Sequence, residues 1–166
     1  MLPAYLPNPA AALFGGGTPI DFGRNYPDGH RIFGDGKTCR GFLMGILLGI
    51  VIGWIEIWAR GAYGLTRLPE QTFTSIVVLS VGALLGDLAK SFFKRRLGKD
   101  RGAKWPVADM YDLVAGALIL MLIVNSSWIV ANITIPVLLF ILILTPILHR
   151  SVNIIGYLLH VKEVPW

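Results

Sequence analysis

Apolar residues in this chain fall in long unbroken runs. Gly41 to Ala59 is interrupted only by Glu56 and fenced by Arg40 and Arg60. At about 1.5 Å per residue such a stretch reaches about 28 Å, close to the thickness of a bilayer core, and it predicts a transmembrane helix over 41–59. No residue from Gln71 to Gly86 is charged, and the apolar pattern continues to Phe93. It predicts a second crossing over 71–93 that leaves the membrane near Asp87 and Lys94. Leu113 to Leu148 contains no Asp, Glu, Lys, Arg or His, which is too long for one crossing. The polar group Asn125, Ser126, Ser127 and Asn132 divides it into helices over 110–126 and 130–149 joined by a tight turn. Leu2 to Phe14 is apolar but carries Pro3, Pro7 and Pro9, and it lacks the positive start of a signal peptide. It reads as a short first crossing over 2–14, with a re-entrant segment as the alternative.

The fold class that follows is an all-α integral membrane protein. A single membrane-embedded domain over 1–166 forms a bundle of about five transmembrane helices, and loops 15–40 and 94–109 build a polar pocket on one side. Composition agrees, with 54% hydrophobic and 15% charged residues and a mean hydropathy of +0.63. These values exclude an ordinary soluble domain. A length of 166 residues leaves no room for a separate soluble catalytic unit, so any chemistry belongs to loops and helix ends.

Charge then sets the orientation. The net charge is +5. Loops 15–40 and 94–109 and the C-terminal tail share one side and hold Arg24, Arg31, Lys37, Arg40, Lys94, Arg95, Arg96, Lys99, Arg101, Lys104, Arg150 and Lys162, against Arg60 and Arg67 opposite. The positive-inside rule makes that side cytoplasmic and the protein a multi-pass component of the cell membrane. The same rule accounts for the basic excess without a nucleic-acid partner. The single cysteine, Cys39, excludes an internal disulfide and a cysteine-ligated zinc site.

All acidic residues except Glu56 and Glu70 fall on this basic side or at its boundary: Asp21, Asp28, Asp35, Asp87, Asp100, Asp109, Asp112 and Glu163. Interleaved Asp and Lys/Arg on short loops suit a site that holds a divalent cation and several phosphates, although solvated loop charges look the same in composition. Three segments carry the pattern. Gly34-Asp35-Gly36-Lys37-Thr38 leads into the N-terminus of the 41–59 helix, where free amides and the dipole attract anions. It ends in Gly-Lys-Thr, but Arg31 stands where an NTPase P-loop needs glycine. Asp21-Phe22-Gly23 imitates a kinase motif with no other kinase element beside it. On the 71–93 helix, Asp87 and Ser91 share one stripe while Lys90 and Lys94 share its neighbour. An acid at membrane depth is costly, which marks Asp87, whereas basic residues at a membrane exit such as Arg95 and Arg96 also serve lipid headgroups. Asp109 and Asp112, at i and i+3, point the same way from a helix start, where acids are favoured by the dipole in any case.

Taken together, Gly86-Asp87-Leu88, Ser91-Phe-Phe-Lys94-Arg95, Lys99-Asp100, Pro106 and Asp109-Met-Tyr-Asp112 resemble the signature of CTP-dependent phosphatidate cytidylyltransferases. The smaller archaeal branch, the CDP-archaeol synthases, is more similar in length, in Gly15 to Arg24 and in Asp28 to Gly41. The chain departs from the bacterial signature at Lys90, where an acid is usual, in a shorter Arg95 to Lys99 spacing, and in lacking a His-Gly-Gly before the aspartates. The resemblance implies an Mg²⁺-dependent transfer of CMP from CTP to an ether-lipid phosphate, 2,3-di-O-geranylgeranylglyceryl phosphate, with release of pyrophosphate. It further implies that Asp87, Asp112, Lys94 and Lys99 carry the reaction and that Asp87, Asp109 and Asp112 hold Mg²⁺. Arg31, Gly34, Asp35, Gly36, Lys37, Thr38, Ser91, Arg95 and Asp100 would contact substrates. Two other classes compete. A CDP-alcohol phosphotransferase would show an Asp-Gly-x-x-Ala-Arg start that is absent, and a membrane scaffold or transporter leaves the clustered aspartates unexplained. Finally, Gly82, Ala83, Gly86, Ala115, Gly116 and Ala117 are small enough to leave a lateral slot beside Asp87 and Asp112 through which a lipid would arrive.

Overall fold

The computed structural model describes residues 1–66, 68–100, 102–161 and 164. Arg67, Arg101, Lys162 and Glu163, which entered the charge distribution above, lie outside the described residues. The chain forms α1 (Leu2–Tyr5), α2 (Pro7–Leu13), α3 (Cys39–Ala62), α4 (Phe73–Arg96), α5 (Pro106–Val124), α6 (Ser126–Asn132) and α7 (Ile135–Leu158). Four of them, α3, α4, α5 and α7, are long and apolar enough to cross a membrane. Joined in sequence, they alternate in direction. The 15–38 loop, the 97–105 loop and the end of α7 therefore share one polar end of the bundle.

Helix boundaries follow from local chemistry. Thr38 caps α3 by accepting from the Gly41 N–H at 3.1 Å, and Thr72 and Ser75 form a reciprocal capping box at the start of α4. The apolar run from Leu113 to Leu148 divides at the foreseen polar group, but by a short helix and not by a tight turn. Asn125 caps α6 by accepting from Trp128 N–H at 3.1 Å, and the Trp128 indole donates to the Glu70 carbonyl at 2.8 Å. The last helix then starts five residues later than 130, because Pro136 restricts the residue before it and favours a helix beginning there. It runs nine residues beyond 149, since nothing past Arg150 breaks it.

The N-terminal segment differs most from expectation. In place of one crossing over 2–14, two short helices meet at Leu6. Pro7 and Pro9 supply no amide hydrogen, so an unbroken helix cannot form. Twelve residues at about 1.5 Å reach about 18 Å, short of the roughly 30 Å core. These helices are held by a stripe of buried glycines on α3, Gly41, Gly45, Gly49 and Gly53. A Cβ at Gly41 would lie 2.7 Å from the Ala11 carbonyl and one at Gly45 2.6 Å from that of Pro7. Ser80 donates to the Pro3 carbonyl at 3.0 Å, meeting an acceptor that Pro7 leaves without a helical partner. Bundle packing here depends on close backbone approach, as membrane helices generally require.

The same device joins α4 to α5, and it corrects the lateral slot. A Cβ at Gly86 would stand 2.1 Å from the Asp112 carbonyl, and one at Gly116 2.3 Å from that of Gly82. The small residues close this interface. Beside it lie Ala83, Ala117 and Met121, all fully buried, with Leu79 and Val78 completing the core.

Candidate active site

Asp87, buried near the polar end of α4, is the hinge of the site. Lys37 from the glycine-rich loop reaches across to pair with one of its oxygens, while Lys90, one turn on, lies 3.1 Å from the other. Close packing of α5 on α4 then brings two further carboxylates to the same ammonium. Lys90 Nζ stands 2.5 Å from Asp112 Oδ2 and 3.5 Å from Asp109 Oδ1. At 2.5 Å, the Lys90–Asp112 contact is the tightest of the charge pairings that Lys90 makes. Lys94 completes the array, 2.8 Å from Asp109 Oδ1 and donating to the Ala103 carbonyl at 2.6 Å. Three carboxylates and three ammonium groups therefore interleave where the helices meet the loops.

A cavity of about 1040 Å³ opens over this array. Of the residues singled out from sequence, Arg31, Gly34, Asp35, Gly36, Lys37, Thr38, Asp87, Ser91, Lys94, Arg95, Lys99, Asp100 and Asp109 line it. Asp112 lies beneath, with a side chain 4% exposed, and meets the cavity through Lys90. Thr38 is occupied as the α3 cap. Arg95 donates to the Lys99 carbonyl at 2.7 Å, tying the turn after α4. Among the described residues, no three His, Cys, Asp or Glu side chains stand together as a ready metal site. Asp87, Asp109 and Asp112 are arranged around Lys90, not around an empty centre.

Two residues that organise the site lie outside the sequence-derived set. Lys90 is one, although its departure from the bacterial pattern was a visible signal. Asp21 is the other, inside the Asp-Phe-Gly triplet. Its buried carboxylate accepts from Arg31 at 2.6 and 3.3 Å and from the backbone N–H groups of Phe33, Gly34 and Gly23 at 2.9, 2.9 and 3.1 Å. Burial pushes Asp21 up, but the Arg31 and backbone hydrogen bonds outweigh it and hold the carboxyl well below the usual range. Arg31 also pairs with Asp35 at 2.5 Å. Asp21 thus fixes both the glycine turn that presents Lys37 and the guanidinium beside it. The loop is in turn clamped to α4. Arg96 lies over Tyr26 and Phe92 at 4.6 and 4.9 Å, pairs with Asp28 at 2.8 Å and donates to the Arg31 carbonyl at 2.6 Å.

A polytopic helical bundle with a large charged cavity at its polar end, built from carboxylates, lysines and a glycine-rich turn, defines an intramembrane enzyme with a water-facing site. The chain belongs to the CDP-archaeol synthase family, whose model, described as CarS-like, matches residues 1–166. It is similar to CDP-archaeol synthases of Methanoculleus marisnigri, 61% identical over the whole of both chains, Methanoregula boonei, 60% identical over both chains, and Methanosarcina mazei, 48% identical over both chains. A solved structure described as an intramembrane enzyme for archaeal membrane lipids biosynthesis superposes with a TM-score of 0.66 at 38% identity, covering 75% of each chain.

Proposed function

We propose that the cavity binds CTP and a membrane ether-lipid phosphate together and transfers CMP from the first to the second. The observation that carries this reading is the convergence of the glycine-rich loop, through Lys37, with Asp87, Lys90 and Lys94 of α4 over one cavity. A triphosphate needs several cations and amide donors placed before it arrives, and Lys37, Lys94, Lys99 and the amide at Gly36 supply them.

In the transfer, an oxygen of the lipid phosphate attacks the α-phosphorus of CTP. The new O–P bond forms as the bond from the α-phosphorus to the bridging oxygen breaks, and pyrophosphate leaves with that oxygen. The attacking phosphate is already anionic near neutral pH, so no nucleophilic side chain is required. Catalysis is the holding of two anions in line and the stabilising of charge on the leaving group. Lys94 and Lys99 suit the leaving pyrophosphate. Asp87, Asp109 and Asp112 are hard oxygen donors of the kind Mg²⁺ takes, and they converge on Lys90, whose ammonium would give way to the ion. These three would hold the ion, which supplies neutralisation of phosphate charge when bound. Lys90 balances the three carboxylates in its absence.

The basic loops support a reading in which this end faces the cytoplasm, where CTP is available. Incorporation of radiolabelled CTP into an ether-lipid phosphate, with and without Mg²⁺, tests the reading. Label in the lipid product only with Mg²⁺ present is expected; absence of lipid-bound label from the purified chain under both conditions overturns it.

A further inference from the structure

Helix α7 carries Thr145, His149 and Asn153 at i, i+4 and i+8, one polar stripe on a helix that is otherwise largely apolar. The stripe faces inward: Thr145 is 2% and Asn153 3% exposed. Tyr5 of α1 bonds Thr145 at 2.8 Å, and the Asn153 amide meets His149 Nε2 at 2.7 Å. A narrow crevice lies against this stripe between α2, α5 and α7, with Leu113 and Val152 among its walls. Asn8, His149 and Asn153 line both this crevice and the large cavity. They stand where the two meet.

Polar side chains inside a membrane helix are costly and mark a path or a partner. Here the path leads from apolar walls to the charged array. The α4–α5 side is sealed by Gly82, Gly86 and Gly116, so a lipid needs another wall. On α7, Pro146 lacks an amide hydrogen, and the Tyr111 hydroxyl of α5 donates to the Leu142 carbonyl at 2.9 Å in its place. Helix α7 is thus joined to its neighbours by side-chain clasps at Thr145 and Leu142, and it buries only Ile141, Thr145 and Asn153 among the described residues.

We propose that the junction of Asn8, His149 and Asn153 seats the head of the lipid substrate, an inference that rests on the nucleotide reading of the large cavity. The two ether oxygens of the glycerol unit accept only. The amide groups of Asn8 and Asn153 and the imidazole of His149 are the donors such a head requires. The phosphate then projects into the cavity towards Lys94, and the tails lie outward against α7 on the bilayer side, since the crevice itself, about 30 Å³, is too small to enclose them. Ether oxygens and a phosphate on one glycerol are the chemical class recognised.

Two measurements on the full chain in detergent test this, with a dialkyl-ether glycerol phosphate as the probe. Asn153→Ala and Asn8→Ala should each raise KM for the lipid about tenfold or more, the loss of one or two buried hydrogen bonds, while CTP binding by calorimetry stays within about twofold. His149→Gln, which keeps a donor, should retain more lipid affinity than His149→Ala. Separately, a Cys39→Ser, Val152→Cys chain should react with N-phenylmaleimide more slowly when the lipid is present and at an unchanged rate with CTP alone. A parallel rise in the CTP constants, or labelling that the lipid does not slow, overturns the seat. If the wild-type chain transfers no CMP, the functional reading fails, and the labelling rate by itself decides whether the lipid head lies at this junction.

Discussion

Lys37 and Asp87, fifty positions apart, form an ion pair that joins the glycine-rich loop to the fourth helix at the floor of the cavity. The pair couples the two halves of the site. On the proposed function, a triphosphate arriving on Lys37 would compete with Asp87 for the same ammonium and leave that carboxylate available to a cation. Lys37→Ala should therefore weaken CTP binding by about tenfold or more, the worth of a charge-assisted bond, with lipid affinity little changed. Nucleotide titration gives the answer, and an unaltered CTP affinity contradicts the assignment.

Asp87→Asn keeps the shape and removes the charge that answers Lys37 and Lys90. If Asp87 holds the proposed cation, its loss should slow turnover by roughly 10³-fold, several kcal/mol of transition-state stabilisation, in a chain that still binds lipid. Retention of more than about half the wild-type rate would remove Asp87 from that role.

Lys90 serves three carboxylates at once, at 3.1, 3.5 and 2.5 Å. Breaking a buried ionic group by removing one side typically costs about 3–5 kcal/mol, because uncompensated charge remains. Lys90→Met should thus melt at lower temperature in metal-free buffer, and Mg²⁺ should restore it by more than it stabilises the wild type. Equal Mg²⁺ shifts in both chains would show that Lys90 does not balance the metal-binding carboxylates.

How much of this was legible in the sequence depends on distance along the chain. The long helices follow from uninterrupted apolar runs, and the division after Asn125 follows from four polar residues. The N-terminal pair was not legible, because its support is a glycine stripe on α3 whose partner carbonyls lie thirty or more residues away. Asp87 and Lys90 were visibly neighbours on one helix. That α5 would deliver Asp109 and Asp112 to the same ammonium depends on how closely Gly86 and Gly116 let the helices approach, which spacing alone does not encode. The same glycines were read as a slot because a small side chain fits both a gap and a close contact. Asp21 was hidden differently, since its partners are mostly backbone amides formed by the fold of the loop.

Asp21 also gives the loop a defined response to acid. Its carboxyl lies below the usual range in the folded chain, so folding gains stability above the ordinary aspartate value of about 3.9 and loses it as pH falls below that towards the folded value. Limited proteolysis of the 15–38 loop should be slow and nearly constant from about pH 8 to 5 and should accelerate below about pH 4. Asp21→Asn should lose roughly 3 kcal/mol at neutral pH, through the Arg31 pair and the amides left with a weaker acceptor, and its deficit should narrow as the wild type is acidified. A deficit independent of pH would mean that the charge of Asp21 is not what holds the loop.

The orientation of the bundle has a built-in reporter. Cys39 is the one cysteine, exposed at the first turn of α3 on the polar end, whereas Gly61, in the last turn of the same helix, is exposed at the other. Ser91, close to the reacting groups, is only 5% exposed and makes a poor labelling position. Under the positive-inside rule, the basic residues gathered around Cys39 are expected on the cytoplasmic side. In sealed vesicles of known polarity, a membrane-impermeant maleimide should therefore reach Cys39 from the cytoplasmic side only. In a Cys39→Ser, Gly61→Cys chain it should react from the opposite side only. Because α3 is a single helix of 24 residues, the two ends cannot share a face once it spans the bilayer. Labelling of both positions from outside would show that the helix does not cross, and labelling of Cys39 from outside alone would invert the protein and place its nucleotide cavity away from CTP.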